Sequence, residues 1–367
     1  MAAEATTPDA VDLHETLTTV SPDEARDLLV DLVSIPSPSG EERKAAQRLV
    51  AFFEAHGREA WLDAIGNVRA PADDAVLLTS HVDTVPGDIP VRVEDGVLWG
   101  RGSVDATGPL AAMAVVAVET GVSFVGVVGE EKDSRGAHHL VADREPPEAL
   151  VNGEPSGWDG LTLGYRGILG GRYGVQTEGQ HTSRPSPNAI EQAMAWWRRV
   201  QEAFAPDDES EGAEADAGST FEQVTTKPVS FDGGVTDDGL ATNASMEVQL
   251  RVPPSKTVDE VRETAEAQLE AGSLSWVDEL PPAMQSPRTP VARAFRVAIR
   301  QLGGDPRLLR KTGTSDVNVY TGAWDVPMAT YGPGDSSLDH APDERLPLAE
   351  YDRSIAVLAT VCERLID

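Results

Sequence analysis

Positions 78–87, Leu78-Thr79-Ser80-His81-Val82-Asp83-Thr84-Val85-Pro86-Gly87, join an apolar segment to two side chains suited to a metal site. The apolar run from Ala75 to Leu78 predicts a buried strand that ends near the histidine. Residues i and i+2 of a strand point to one face, so His81 and Asp83 would lie on one face at the strand end. An imidazole can bind a metal through one nitrogen while a nearby carboxylate fixes its orientation.

Carboxylates also follow the next predicted strands. Val122 to Val128 predicts an all-apolar strand leading into Gly129-Glu130-Glu131, and a short apolar strand at Leu150 leads to Glu154. Asp105 ends a glycine-rich loop ahead of a predicted helix, Pro109 to Glu119. Strands that alternate with helices predict an α/β domain with a largely parallel sheet and helices on both faces. Because sites in such sheets form at the carboxyl ends of strands, we expect these acids to converge.

The length of 367 residues exceeds what one core usually organises, so two domains are expected. The pattern changes near Tyr165, and residues 165–280 are predicted to form an inserted domain with a small antiparallel sheet and two helices. Residues 1–164 and 281–367 would form the first, discontinuous domain. The predicted elements of the insertion are strands Ile168–Gln176 and Ser245–Val252, helices Asn188–Phe204 and Val258–Leu269, and an exposed acidic loop, Asp207–Asp216.

Helix signals support the first domain. Ser39 with Glu42 is expected to cap a helix that stops at Gly57, because a serine hydroxyl can accept a hydrogen bond from the first turn. Further helices are predicted at Val291–Leu302 and Leu348–Leu365.

Composition excludes several classes of protein. The net charge of −31 argues against nucleic-acid or anionic-membrane partners, and no apolar run is long enough to span a bilayer. With only five lysines among so many acids, we interpret the surface as adapted to a salt-rich cytoplasm, where about 1 M salt reduces the Debye length to ~3 Å and screens the repulsion. The alternative is an ordinary acidic protein of a mesophile. The single cysteine, Cys362, excludes an intrachain disulfide and a thiolate zinc cluster. The polar N-terminus does not resemble a secretory signal, so a cytoplasmic location is expected.

The residue types of the candidates point to metal ions. Two histidines and several carboxylates without thiolates suit zinc or a similar divalent ion. There are more acids than one catalytic zinc needs, and two ions bridged by one carboxylate would use them while leaving a spare carboxylate as general base. Alone, Glu130-Glu131 would be interpreted as a solvated pair and Asp105 as a turn residue. The candidates are His81, Asp83, Asp105, Glu130, Glu131, Glu154 and His340.

Four motifs resemble a known family. They are His81-Val82-Asp83-Thr84-Val85-Pro86, Gly100-Arg101-Gly102-Ser103-Val104-Asp105, Gly129-Glu130-Glu131 and Gly153-Glu154-Pro155. The sequence resembles the co-catalytic zinc hydrolases that include acetylornithine deacetylase, succinyl-diaminopimelate desuccinylase and carboxypeptidase G. The resemblance implies a zinc-peptidase-like catalytic domain with a mixed, mainly parallel sheet, and an inserted α+β lid that usually makes a homodimer.

The resemblance also implies residue roles. Asp105 would bridge two divalent ions, zinc or alternatively cobalt. Glu131 and His340 would complete one ion site, and His81 and Glu154 the other.

Three further residues carry roles implied by the same resemblance. Glu130 corresponds to the general base and Asp83 to the residue that orients the metal-binding imidazole. His181, in Gly179-Gln180-His181-Thr182, corresponds to a lid histidine that polarises the substrate carbonyl across the dimer.

Longer stretches are similar to the hydrolases of the amino-group-carrier pathway of lysine and arginine biosynthesis. These stretches are 83–87, 105–112 and 331–340; Thr107 stands where the relatives usually have lysine. The similarity implies release of lysine or ornithine from the terminal glutamate side chain of a small acidic carrier protein. An N-acyl amino acid deacylase, acting on acetylornithine or acetyl-lysine, or a dipeptidase is the alternative enzyme. A catalytically inactive metal-binding scaffold is the alternative outside enzymes.

Basic residues are candidates for binding the substrate carboxylate, because arginine is well suited to that group. Lys311 precedes Gly313 and Thr314, in a segment that resembles a substrate loop of the family. Arg251, on a predicted strand of the insertion, and Arg166 are further candidates. For each arginine alone, a surface pair with one of the abundant acids is an equal alternative.

Overall fold

The computed structural model describes residues 11–181, 183–205 and 220–366, so the predicted acidic loop Asp207–Asp216 lies outside the described residues. The helices are α1 (Pro22–Val33), α2 (Arg43–Ala55), α3 (Thr107–Thr120), α4 (Arg135–Asp143), α5 (Ala189–Ala203), α6 (Val258–Glu266), α7 (Pro290–Gln301), α8 (Asp316–Ala323) and α9 (Leu348–Ile366). The strands are β1 (Trp61–Leu62), β2 (Val68–Ala70), β3 (Asp73–His81), β4 (Arg92–Glu94), β5 (Val97–Trp99), β6 (Val122–Val127), β7 (Leu150–Gly153), β8 (Gly160–Tyr165), β9 (Gly167–Glu178), β10 (Thr225–Val235), β11 (Ala241–Val252), β12 (Ser273–Leu280), β13 (Ala283–Met284), β14 (Arg307–Lys311), β15 (Met328–Thr330) and β16 (Arg345–Pro347).

The chain divides into two compact units. The first unit runs to Leu163 and also contains Gln285–Leu309 and the residues from Val319 onward. The second unit contains Gly164–Met284 and Arg310–Asn318. The segment Arg310–Asn318 therefore groups with the second unit, whereas the sequence analysis assigned all of 281–367 to the first domain.

The first unit is built on a mixed sheet flanked by helices, which confirms the predicted fold class. Its strands follow the order β1-β2-β6-β3-β7-β15-β8, and the four strands β6, β3, β7 and β15 are parallel to one another. Strands β6 and β7 are short and buried at every position, as expected for strands in the middle of a covered sheet. A small antiparallel sheet, β16-β5-β4, also belongs to this unit.

Helix α3 forms the centre of the first unit's core. Its sequence is apolar on all sides, and residues 107–118 are buried, as expected for a helix enclosed by other elements. Helices α1 and α9 pack against it, and it contacts β3, β6 and β7. Because α3 begins directly after the loop that ends at Asp105, the core also anchors that loop.

The second unit has its own sheet and core. Four antiparallel strands follow the order β10-β11-β9-β12. Helix α5 packs on β9 and β11, and its Trp196 stacks on Tyr173 with ring centroids 4.5 Å apart. No helix in the described residues is long and apolar enough to cross a membrane.

Candidate metal centre

Three neighbouring parallel strands bring three of the predicted ligands, His81, Glu131 and Glu154, to one edge of the first unit's sheet. Strand β3 lies between β6 and β7, with His81 opposite Val127 and Ser80 opposite Gly153. His81 is the last residue of β3, Glu130 and Glu131 follow β6, and Glu154 follows β7. Because the carboxyl ends of parallel strands share an edge, residues distant in sequence meet there.

Asp105 lies between two histidines and offers one carboxylate oxygen to each. Its Oδ1 is 3.2 Å from Nε2 of His81, and its Oδ2 is 3.1 Å from Nε2 of His340. Glu131 Oε1 lies 3.0 Å from the same His340 nitrogen, and Glu154 Oε1 lies 3.9 Å from the His81 nitrogen. The structure thus brings together all five residues predicted as ligands, with Asp105 at the centre.

His340 adopts an uncommon backbone conformation. Its φ of +61° lies in the left-handed region, which residues other than glycine rarely occupy. Such conformations are retained where the surrounding structure requires them, often at functional sites. Here the conformation accompanies the approach of His340 Nε2 to both Asp105 and Glu131.

Four groups of the cluster, Asp105, Glu131, His81 and His340, have shifted pKa values. Burial opposes the charged form of Asp105, but hydrogen bonds with His340 and His81 outweigh burial and lower its pKa. Burial and the charge of Asp105 raise the pKa of Glu131, against the opposing effect of the two histidines. Burial disfavours protonated His81, yet its hydrogen bond with Asp105 and the charges of Glu154 and Glu130 raise its pKa well above normal.

The pKa of His340 rises to about 9, chiefly through its hydrogen bond with Asp105 and the charge of Glu131, against the effect of burial. The cluster therefore favours the doubly protonated, positively charged form of both imidazoles when no other cation is present. A divalent ion would replace those protons and neutralise the same carboxylates.

The donor set fits one or more divalent metal ions. His81, Asp105 and Glu131 each offer one ligand atom, and these three atoms lie within 4.8 Å of one another. Nitrogen and carboxylate oxygen donors without thiolates suit zinc and similar divalent ions. The main-chain carbonyl of Asp83 accepts a hydrogen bond of 2.8 Å from His81 Nδ1, which leaves Nε2 as the nitrogen available for a metal.

The carboxylate of Asp83 holds the loop that carries Glu130 and Glu131. It is 0% exposed, and its Oδ1 lies 3.7 Å from His81 Nδ1, beyond hydrogen-bond distance. Instead it accepts the main-chain N–H groups of Gly129, Glu130 and Glu131 at 2.9, 3.1 and 3.2 Å. Asp83 thus contacts the imidazole through its main chain and the acidic loop through its side chain.

The sequence analysis did not assign Ser39 or Glu344 to this site. Ser39 was expected to cap α2, but Glu42 occupies the N-cap position without a capping hydrogen bond, and Ser39 Oγ donates to Asp83 Oδ2 at 2.6 Å. Glu344 is buried and accepts hydrogen bonds from the loop that ends at Asp105. No local pattern distinguishes Glu344, since Asp343-Glu344-Arg345 resembles any charged turn in this acidic chain.

The predicted lid histidine lies in the second unit. His181 is exposed, and its Nδ1 accepts the main-chain N–H of Ser183 at 3.2 Å. Its Nε2 therefore carries the proton and is the donor nitrogen. The catalytic role implied for His181 stays a prediction.

The predicted substrate-binding residues also lie in the second unit. Arg251 Nη1 donates to Thr314 Oγ1 at 3.2 Å, and Arg166 Nε donates to the carbonyl of Thr312 at 2.9 Å. Burial lowers the pKa of both guanidinium groups, and the charge of Arg251 lowers that of Arg166 further. Among the described residues, neither arginine forms an ion pair with an acid.

Lys311 and Gly313 flank Thr312 in the same segment. Lys311 ends β14 and is half-buried, and Gly313 follows it outside any strand. A side chain at Gly313 would meet no atom within 4 Å, so the loop is open at this point. The substrate-binding roles of both residues stay predictions.

Relatives of known name match this chain along nearly its whole length. A protein of Deinococcus radiodurans named LysW-lysine hydrolase is 42% identical over 363 residues, covering 93% of this chain and 97% of the relative. A protein of Saccharolobus islandicus named LysW-lysine/LysW-ornithine hydrolase is 29% identical over 335 residues, covering 89% of this chain and 91% of the relative.

Solved structures show the same fold at low sequence identity. An M20 family metallo-carboxypeptidase from Sulfolobus solfataricus superposes with a TM-score of 0.75 at 17% identity, covering 94% of this chain and all of the other. An aminopeptidase PepT from Bacillus cereus gives a TM-score of 0.74 at 19% identity, covering 95% and 100%. The model of the peptidase family M20/M25/M40 matches residues 77–364. The chain belongs to that family.

Proposed function

We propose that this protein is a metal-dependent amide hydrolase that releases lysine or ornithine from a LysW-type carrier protein. Water would add to the amide between the carrier's terminal glutamate side chain and the α-amino group of lysine or ornithine. The C–N bond would break, leaving a free carboxylate on the carrier and a free amino acid. This reaction would serve lysine and arginine biosynthesis.

The observation that carries the hydrolase assignment is the position of Asp105, with one carboxylate oxygen facing each histidine. A carboxylate presented in this way suits a pair of cations on its two sides. The choice of substrate is supported by the names of relatives that align along nearly the whole chain.

The proposal includes two divalent ions, zinc first and cobalt as the alternative. Asp105 would bind both ions, with Glu131 and His340 completing one site and His81 and Glu154 the other. When bound, such ions lower the pKa of water and polarise a carbonyl group.

Glu130 is proposed to move the proton. It lies next to the proposed ligand Glu131 in a loop whose main chain Asp83 holds, and its charge contributes to the raised pKa of His81. It would accept a proton from the attacking water and deliver it to the leaving amine. Because Glu130 would act first as base and then as acid, the proton transfer would need no second acid–base residue.

Residues of the second unit are proposed to bind the substrate. The Nε2–H of His181 would donate to the oxygen that becomes negative during the reaction. Arg166 and Arg251 would bind the α-carboxylate of lysine or ornithine, together with Lys311 and the Gly313-Thr314 loop. This assignment is supported by the buried Arg166 and the partly buried Arg251, which have no acidic partner among the described residues.

A homodimer through the second unit is also proposed. Strand β10 lies at the edge of its sheet and exposes apolar side chains that water disfavours, including Phe231 at 44% and Val235 at 69%.

The test compares two substrates under one set of conditions. Purified protein with zinc is given carrier-linked lysine or ornithine in one reaction and acetylornithine in another, and free amino acid is measured. We expect a much larger kcat/KM for the carrier-linked substrates. Preference for acetylornithine would replace the carrier assignment with a deacylase, and inactivity on every amide despite bound metal would indicate a scaffold.

A further inference from the structure

Glu344 links the two loops that carry Asp105 and His340. It follows His340 by four residues, and its side chain is 0% exposed. Its main-chain carbonyl accepts the N–H of Gly100 at 3.4 Å, so main chain and side chain both contact the loop that ends at Asp105.

All four partners of the Glu344 carboxylate are donors from that loop. Oε1 accepts the main-chain N–H groups of Val104 and Asp105 at 2.8 and 3.0 Å. Oε2 accepts the N–H of Gly102 at 3.0 Å and Nη1 of Arg101 at 2.8 Å. A buried carboxylate is costly unless its acceptor capacity is satisfied, and here both oxygens are fully used.

The loop needs this support because its backbone is unusual. Gly102 has φ +83°, and a Cβ there would lie 2.7 Å from both Thr84 Cγ2 and Thr107 Oγ1. Among the described residues, two main-chain hydrogen bonds close the loop. The N–H of Ser103 donates to the carbonyl of Gly100, and the N–H of Thr107 donates to the carbonyl of Gly102. The N–H of Asp105 itself is held by Glu344, so the carboxylate fixes the main chain of the central ligand.

We propose that Glu344 is a positioning residue that fixes Asp105 between His81 and His340 and thereby sets the affinity for metal. The inference rests on the metal site of the proposed function but not on its substrate. Residues that orient metal ligands typically affect metal affinity by 10–100-fold when changed.

Glu344→Gln is the decisive variant. The amide has nearly the same shape, but in either orientation its NH₂ group faces two N–H donors, so at least two hydrogen bonds are lost. We expect its affinity for zinc to fall by about 10–100-fold, measured by competition with a chromophoric chelator without substrate. Circular dichroism in the same buffer verifies that the chain is folded.

Glu119→Gln is the matched control. Glu119 also accepts main-chain N–H groups on both oxygens, from Thr18 at 2.7 Å and from Thr19 and Val20 at 2.9 and 3.3 Å. The segment Thr18–Val20 carries no candidate ligand. This variant should unfold at a lower temperature while its zinc affinity stays within twofold of wild type.

A second, milder variant tests the proposal if Glu344→Gln does not fold. Arg101→Gln removes one of the four donors and leaves the three main-chain bonds, so a smaller loss of affinity, about threefold or more, is expected. Wild-type zinc affinity in folded Glu344→Gln, or in Arg101→Gln if the former does not fold, would overturn the proposal. A failed carrier assay would overturn the substrate assignment alone, because these affinities are measured without substrate.

Discussion

At the scale of single residues, a substitution of Glu130 tests proton transfer separately from metal binding. Glu130→Gln should retain its metal and lose about 10²–10⁴-fold in kcat, the usual contribution of a general acid–base group. Carrier cleavage and elemental analysis on the same preparation provide the measurement. Full activity with full metal content would rule out Glu130 as the base.

The raised pKa of His340 predicts how metal affinity depends on pH. Because metal and proton compete for the imidazole, affinity should rise with pH as the proton is lost, and the contribution of His340 to this rise should end above a pH of about 9. Calorimetric titrations at pH 7 in buffers of different ionisation enthalpy count the protons released. His340→Ala should release about one proton fewer than wild type; equal release would contradict this account.

At the scale of elements, Asp83 joins β3 to the acidic loop after β6. In Asp83→Asn the amide would face donors that now bind the carboxylate, so the free energy of unfolding should fall by about 1–3 kcal/mol. Ser39→Ala removes one hydrogen bond and should cost about 1 kcal/mol. Urea unfolding measures both, and an unchanged midpoint in Asp83→Asn would contradict the assigned contacts.

Elements made of apolar runs that end at glycines were predictable from sequence, and elements defined by distant contacts were not. The predicted helix Pro109–Glu119 and strand Val122–Val128 match α3 and β6 within two residues, because both are apolar and end at glycines. Strand β10 was missed because it is exposed almost throughout and contains Gly233-Gly234, so its sequence has no alternation. Helix α8 was missed because it has only eight residues and begins at Asp316, close behind the Gly313-Thr314 turn.

The ligand cluster was predictable for a similar reason. Histidines and acids that follow apolar strands stand out in the sequence, and parallel pairing then brings them together. The contacts of Glu344 depend on a segment 239 residues earlier in the chain, so local sequence carries no sign of them. Ser39 was misinterpreted because a helix cap is the commonest use of a serine before a helix.

At the scale of the whole molecule, the net charge of −31 should govern association with an acidic carrier. Repulsion between two acidic proteins slows their encounter and is screened by salt, so kcat/KM for the carrier should rise as potassium chloride increases from 0.1 to about 1 M. Acetylornithine, a small substrate, provides the control, because its kcat/KM should change much less. A carrier rate that does not rise with salt would contradict the screening argument.

The proposed dimer is tested on the exposed face of β10. Phe231→Glu combined with Val235→Glu should give a monomer by light scattering, since acidic side chains oppose burial of this strand against a partner. Val297→Glu, at a partly exposed position on α7 of the first unit, is the control and should remain dimeric. A wild-type monomer at all salt concentrations would exclude the dimer.

The most direct test of the metal centre is the metal content of wild type and Asp105→Ala, measured by elemental analysis after zinc loading and dialysis. Because Asp105 offers one carboxylate oxygen to each histidine, we predict two ions per chain in wild type and loss of at least one in the variant, with circular dichroism unchanged. Two ions retained in folded Asp105→Ala, or no bound metal in wild type, would contradict the account.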